Sequence, residues 1–394
     1  MALKVGRAAA SPPFRVMDVI AAANARQAAL PPGGARVLRM EVGQPGTGAP
    51  AGAVAAAVAA LRAGDPLGYT ETFGLPALRA RIAAHYRDWY GLDLPAHRIA
   101  VTTGASGAFP LAFLAAFDAG DRIALAAPYY PPYVNILRSL GMQPVILEAG
   151  PETRFQPSVA MLDRLAAEAG PPDGLIIASP ANPTGSMLRA AELAELAAWC
   201  RANGVRLISD EIYHGLQYGT PITTAAAVDP DAIVINSFSK YFSMTGWRVG
   251  WMVLPEALLR PVECLAQNFF INAPHIAQVA ALAAFECGDE LEANVARYWR
   301  SRTRLLAALP DCGFPRLSPA DGAFYLYADI AGRGEAGRDE DSARFCARML
   351  AEIGIATTPG LDFDAARGGR FVRFSYCGPE ADIAEAAARL AGWR

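Results

Sequence analysis

Ile233-Val234-Ile235-Asn236-Ser237-Phe238-Ser239-Lys240-Tyr241-Phe242-Ser243-Met244-Thr245-Gly246-Trp247-Arg248-Val249-Gly250-Trp251-Met252-Val253 holds two apolar runs separated by eleven residues, Phe238 to Arg248. Runs of this kind, apolar at nearly every position, are strands covered on both faces, as in a parallel sheet. A parallel crossover needs a dozen or more residues, so the second strand is predicted to run antiparallel to the first. Working outward, similar runs occur at Ile99–Thr103, Arg122–Ala126, Val145–Leu147, Leu175–Ala178 and Arg206–Ser209, with helical segments such as Ala190–Ala202 between them. The pattern predicts an α/β fold with a mostly parallel seven-stranded sheet and one antiparallel strand. Beyond Pro255 an Ala- and Leu-rich helical region to about Leu309, strands at Phe324–Tyr327 and Phe371–Phe374, and helices at Ser342–Ile353 and from Glu380 predict a smaller α+β domain. The expected division is 1–40 as an N-terminal arm joined to the small domain, 41–285 as the large domain and 286–394 as the small one.

Composition narrows the function. The 394 residues carry 35 basic and 38 acidic side chains, a formal charge of −3, with 53% hydrophobic residues. This balance argues against a nucleic-acid binder, which needs a basic surface. The six cysteines are scattered, without the spacing of a zinc or redox site, so no metal is expected and a reducing cytoplasm is. No stretch reads as a signal peptide. The uncharged segment Ile99–Phe117 contains Thr102, Thr103, Gly104, Ser106, Gly107 and Pro110, which suit a strand, a turn and a helix better than a membrane span. Of the basic residues, 33 are arginine and only Lys4 and Lys240 are lysine. In a chain that replaces lysine so thoroughly, a mid-chain lysine points to chemistry a guanidinium cannot perform.

Lys240 follows a strand end, where open α/β sheets bind ligands. An ε-amine there can form a Schiff base with a carbonyl, and pyridoxal phosphate is the commonest carbonyl cofactor held this way. Such a site needs an acid against the pyridine nitrogen. Asp210, just past an apolar strand, meets that need by position, although an Asp-Glu pair there also serves as a cap. Tyr213 and Asn182 can bond the ring phenolate oxygen, while Asn182-Pro183-Thr184-Gly185 is equally an ordinary turn sequence. Thr103-Gly104-Ala105-Ser106-Gly107 joins a strand to a helix with small residues that let backbone N–H groups reach a phosphate. It matches neither nucleotide-binding glycine pattern. Tyr129 and Tyr130 read either as core aromatics or as one ring stacked on a planar ligand.

Together, Asn182-Pro183-Thr184-Gly185, Ser209-Asp210-Glu211-Ile212-Tyr213, Ser237-Phe238-Ser239-Lys240, Met244-Thr245-Gly246-Trp247-Arg248 and Phe371-Val372-Arg373-Phe374-Ser375 closely resemble the class I/II, fold-type I pyridoxal-phosphate aminotransferases, of aspartate aminotransferase type. The resemblance runs from Val42-Gly43-Gln44-Pro45 through Gly68-Tyr69 and Asp321-Gly322-Ala323-Phe324-Tyr325 to Arg373. It implies that Lys240 holds pyridoxal 5'-phosphate as a Schiff base and shuttles the proton, that Asp210 partners the pyridine nitrogen, and that Asn182 and Tyr213 bond the phenolate oxygen. Gly104, Ala105, Ser106, Ser237, Ser239 and Arg248 would hold the phosphate and Tyr130 would stack on the ring. Arg373 would pair with the substrate α-carboxylate, with Asn182 and the Gly43 backbone beside it. Tyr69 would reach the phosphate of a neighbouring subunit, which implies a homodimer with shared sites. Two departures concern the surroundings: Tyr241 follows the lysine where the family is usually small, and Pro359-Gly360-Leu361-Asp362-Phe363-Asp364 replaces the usual P-G-x-x-F-G.

The implied reaction is ping-pong transfer of an amino group between an L-amino acid and a 2-oxo acid. The same residues would also suit a β-lyase, decarboxylase or cyclase. A cofactor-sensing regulator or an inactive scaffold is the remote alternative; regulators usually carry a DNA-binding domain ahead of the fold, and the motifs here begin near Val42. A dicarboxylate substrate needs a second cation. None lies between Pro261 and Ala296, and Ser106 stands where a lysine would serve. Phe14, Tyr130, Tyr241, Phe269 and Phe270 are expected near the pocket, which suits a neutral or aromatic side chain, unless Arg15, Arg36 or Arg39 swings in.

Overall fold

Residues 3–31, 33–331 and 340–393 are described by the computed structural model. In chain order the strands are β1 (Leu38–Arg39), β2 (Ile99–Thr102), β3 (Arg122–Ala127), β4 (Gln143–Glu148), β5 (Gly174–Ala178), β6 (Arg206–Asp210), β7 (Ile233–Ser237), β8 (Gly250–Val253), β9 (Tyr325–Asp329), β10 (Ile355–Ala356), β11 (Thr358–Pro359) and β12 (Phe371–Ser375). The large sheet has the order β2-β8-β7-β6-β5-β3-β4. Only β8 is antiparallel to its neighbours, β2 and β7, as the short connection after Ser237 predicts.

Alternation explains why these strands are apolar throughout. Leu175 and Ile177, Val234, and Trp251 and Val253 enter one core, whereas Ile176, Ile233 and Ile235, and Met252 enter the core on the opposite face. Burying each such side chain contributes about 1.5–3 kcal/mol, so both helix layers are held firmly. Helix Gly104–Ala116 packs with helix Glu256–Phe269 in the second layer.

The Ala-rich stretch forms helix Ala51–Arg62, which packs on helix His275–Ala284. Buried Ala53 and Ala57 meet a helix whose own buried residues include Ala277, Ala280, Ala281 and Ala284, and side chains this small let the backbones approach closely. The helical region after Pro255 is three helices, Glu256–Phe269, His275–Ala284 and Gly288–Asp311; Ile271, at φ 64, and Pro274 interrupt it. Segment Ile99–Phe117 divides into β2 and helix Gly104–Ala116, and among the described residues no helix is long and apolar enough to cross a membrane.

A second, antiparallel sheet has the order β11-β12-β9 and places Arg373 on its central strand, opposite Thr358 and Tyr327. β1 pairs in parallel with β10, Leu38 against Ile355, which ties the N-terminal segment to the C-terminal part of the chain.

Candidate active site

β6 ends on Asp210 and β7 on Ser237, so the residues after them gather at the C-terminal edge of the parallel strands, where the sheet's partial charges and loops favour ligands. A cavity of about 430 Å³ opens there. Its lining includes Gly43, Ala105, Ser106, Tyr130, Asn182, Asp210, Tyr213, Ser239, Lys240, Arg248 and Arg373. Residues separated by more than three hundred positions thus converge on one volume.

Lys240 Nζ donates to the Gly43 carbonyl at 2.6 Å. Burial lowers its ammonium pKa to about 8, and the charges of Arg373 and Arg248 push in the same direction. An amine so placed loses its proton more easily than a surface lysine, as a nucleophile requires. Asp210 is nearly buried, and burial raises its carboxyl to about 6. Two hydrogen bonds oppose that rise: Oδ2 accepts from the Tyr133 hydroxyl and Oδ1 from the Ile212 N–H at 3.1 Å. A carboxylate so bonded would meet a cationic ligand with its charge partly secured.

Tyr213 and Tyr325 share a hydroxyl–hydroxyl bond of 2.7 Å, and burial raises both phenols, so both remain protonated. The Arg373 guanidinium is 3% exposed. It lies over the rings of Tyr325 and Phe363 at 4.4 and 4.9 Å and donates to Asn182 Oδ1 at 2.8 Å, to Thr358 Oγ1 at 3.1 Å and to the Glu41 carbonyl. Its buried Nε–H has no acceptor within the protein, which leaves a donor free for an anionic ligand.

Gly104 opens helix Gly104–Ala116 at φ +72, and a Cβ there would lie 2.7 Å from Arg248 Nη2. Arg248 in turn sits 3.4 Å from Ser106 Oγ and donates to the Thr245 carbonyl at 2.9 Å. Helix N–H groups, a guanidinium and two hydroxyls, Ser106 and Ser239, form an anion cradle. Ser237 does not line the cavity; its Oγ lies 2.9 Å from Ser239 Oγ and 3.1 Å from the Val249 carbonyl, behind the first row. Gly43 tolerates no side chain, since a Cβ would stand 1.8 Å from the Tyr325 hydroxyl.

Several expected residues lie elsewhere. Tyr241 turns away from the cavity: its hydroxyl donates to Glu292 Oε1 at 2.7 Å and its ring fills the space left by Gly215, beside Trp89. It does not narrow the ligand's surroundings. Phe269 and Phe270 do not line the cavity and are partly exposed, as is Ile271. Tyr69 is 82% exposed. Of the three arginines, Arg36 is paired with Asp382, Arg39 with Glu41 and Asn24, and Arg15 is exposed outside the lining. Conversely, Val16, Met17, Ile20, Phe109 and Tyr133 line the cavity although no sequence signal assigned them there; Phe14 lines it as expected.

The chain matches the family described as aminotransferase class I and II over residues 35–390. It is 48% identical to the valine–pyruvate aminotransferase of Mycobacterium tuberculosis, with 99% of this chain and 98% of that protein covered. The crystal structure of an aminotransferase from Mycobacterium tuberculosis superposes with TM-score 0.94 at 47% identity, covering 100% of this chain and 99% of that one. An aspartate aminotransferase from Thermus thermophilus, solved with maleate, gives TM-score 0.90 at 30% identity with both chains fully covered. The chain therefore belongs to the class I and II aminotransferases, pyridoxal-phosphate enzymes of fold type I that move an amino group between an amino acid and a 2-oxo acid.

Proposed function

We propose that this aminotransferase acts on a neutral L-amino acid, with an aliphatic side chain no larger than the apolar wall allows, and on a small 2-oxo acid such as pyruvate. One observation carries the reading: the wall of the cavity formed by Phe14, Val16, Met17 and Ile20 holds no charge, and the cations in the lining are Lys240, Arg248 and Arg373. Arg248 belongs to the anion cradle and Arg373 to the α-carboxylate, which leaves none for a second carboxylate. The name of the Mycobacterium tuberculosis relative, a valine–pyruvate aminotransferase, supports the same choice.

The residues fit pyridoxal phosphate, because the donor set combines a lysine of lowered pKa, a buried carboxylate and an anion cradle closed to any side chain at Gly104. When bound, the cofactor supplies an electron-withdrawing ring that takes up the charge left when the substrate Cα loses its proton. Lys240 would hold the cofactor covalently and then, released, move that proton from Cα through Nζ. Asp210 would keep its charge against the pyridine nitrogen, while the Tyr213 hydroxyl and Asn182 amide donate to the phenolate oxygen. Tyr130 would cover the ring face. Gly104, Ala105, Ser106, Ser239 and Arg248 would hold the phosphate directly, with Ser237 steadying Ser239. Arg373, Asn182 and the Gly43 backbone would seat the substrate carboxylate.

The division into 1–40, 41–285 and 286–394 is supported by the β1–β10 pairing, which draws the first segment to the last. A homodimer is supported by exposed Phe269, Phe270 and Ile271 close to the Gly68–Tyr69 segment, whose Gly68 carbonyl bonds His275 at 2.9 Å. Cys200, Cys264, Cys287, Cys346 and Cys377 are free thiols, which suits a cytoplasmic setting.

A panel of amino donors with pyruvate and 2-oxoglutarate as acceptors tests the substrate. Neutral donors should lead. If aspartate exceeds every neutral donor in kcat/KM by about tenfold, roughly 1.4 kcal/mol of transition-state discrimination, the neutral reading is wrong. Lys240→Arg keeps the charge but removes the nucleophile and proton carrier. Turnover should fall by about three orders of magnitude or more, and retained turnover excludes the role given to Lys240.

A further inference from the structure

One wall of the cavity comes from neither the large sheet nor the strand of Arg373. Helix Arg15–Ala29 lies along it and contributes Val16, Met17 and Ile20, with Phe14 immediately before the helix. Phe14 meets Tyr130 edge-on, with ring centroids 6.0 Å apart. The helix has no cap of its own, since its N-cap residue is Phe14, which offers no acceptor to the open N–H groups of the first turn.

Asp362 supplies the acceptors from the far end of the chain. Its Oδ1 accepts from the Arg15 N–H at 3.0 Å and its Oδ2 from the Val16 N–H at 3.3 Å. It belongs to the turn Gly360–Asp362, which follows β11 directly, and β11 carries the Thr358 hydroxyl that accepts from Arg373. Burial raises the Asp362 carboxyl, while the two helix N–H groups and the charges of Arg373 and Arg15 oppose that rise. One small-domain segment thus fixes both the arginine that would seat the α-carboxylate and the helix that walls the other side.

We infer, on the footing of the neutral-donor reading above, that Asp362 is a positioning residue for substrate specificity: by holding the first turn of helix Arg15–Ala29 it sets Val16, Met17 and Ile20 at the distance that fits a branched aliphatic donor of valine's size. Without the anchor the wall recedes, and a branched side chain loses its contacts. Alanine, with a single methyl group, depends on the wall far less.

The test compares wild type, Asp362→Ala and Asp362→Asn in the cofactor-loaded enzyme. Asp362→Ala should lower the valine-to-alanine ratio of kcat/KM about fivefold or more, chiefly by raising KM for valine, and should speed amide hydrogen exchange at Arg15 and Val16. Asp362→Asn retains one of the two acceptors and should recover the ratio to within about twofold of wild type, with exchange protection regained at one of the two N–H groups. A ratio unchanged in Asp362→Ala, or a loss shared equally by valine and alanine, overturns the inference. Should Asp362→Ala fail to fold, Ile20→Ala reads the same wall: its leucine-to-valine ratio must rise about threefold or more, and an unchanged ratio overturns the inference. Wild type that turns over neither valine nor alanine would overturn the neutral-donor reading and, with it, the role given to Asp362, whereas an unchanged ratio in a wild type active on both overturns the role of Asp362 alone.

Discussion

Burial raises the Asp210 carboxyl, and the Tyr133 hydroxyl is the foremost of the groups that oppose the rise. A hydrogen bond given to the ionised form lowers a carboxyl pKa, whereas burial raises it, and here burial prevails at about 6. Tyr133→Phe removes the bond and leaves burial less opposed, so the carboxyl should rise by about one further unit for a bond worth about 1.4 kcal/mol. More of it is then protonated at neutral pH, and the loss is greatest on the acid side. The expected outcome is a cofactor affinity whose acid limb moves to higher pH while the alkaline side is unchanged, measured by fluorescence titration across pH; an unmoved limb refutes the role. Tyr133 also marks what the sequence conceals at this scale. In Tyr129-Tyr130-Pro131-Pro132-Tyr133 three tyrosines look alike, and only helix Pro132–Ser139 turns the third toward Asp210. Lys240, by contrast, was legible because a lone mid-chain lysine among arginines carries information that its neighbours do not. Tyr241 was expected near the pocket for the same reason that Tyr133 went unassigned: the groups that receive each, Gly215 and Glu292 for Tyr241 and Asp210 for Tyr133, lie far away in sequence.

Between residue and fold stand the segments that join the two parts of the chain. Pro359–Asp364 departs from the family pattern, and its role became visible only with its distant partners. Asp364 accepts from Arg367 Nε at 2.8 Å, and Arg367 Nη2 donates to the carbonyls of Ala127 and Ala149, each at 3.0 Å, at the ends of β3 and β4. The Tyr129 N–H bonds the Phe363 carbonyl at 3.0 Å alongside. This turn therefore fastens the small sheet to the large one, next to Tyr130. Arg367→Ala removes a donor from two backbone carbonyls, of which Ala127 keeps the Ala149 N–H at 3.3 Å, and should cost about 1–3 kcal/mol of stability, read as a lower denaturation midpoint with kcat for the best donor less affected than stability. A midpoint unchanged within error would mean that the fastening lies elsewhere. The eleven-residue connection after Ser237 shows the opposite case, since its length alone dictated the direction of β8.

Across the whole molecule, the seven-stranded sheet was legible because each strand is a local apolar run, and local runs need no knowledge of partners. The two-residue strands β1, β10 and β11 were not: each is too short to show a pattern of its own, and β1 meets β10 only across the whole chain, Leu38 with Ile355, while β11 is defined by its partner β12. Assembly is the remaining step. Tyr69 is exposed, as are Phe269, Phe270 and Ile271, and single chains rarely leave such a group to water without a partner. If two copies share their sites, a site is complete whenever Lys240 of one copy meets Tyr69 of the other. Lys240→Ala and Tyr69→Ala each spoil both sites of their own homodimer, but a mixed dimer has one site with both residues intact. Mixing the two inactive variants under conditions that exchange subunits should therefore restore activity to about a quarter of the wild-type level, half of the dimers being mixed and each having one good site. Sites confined to one subunit would give no restoration, because every chain in the mixture would still carry its own lesion.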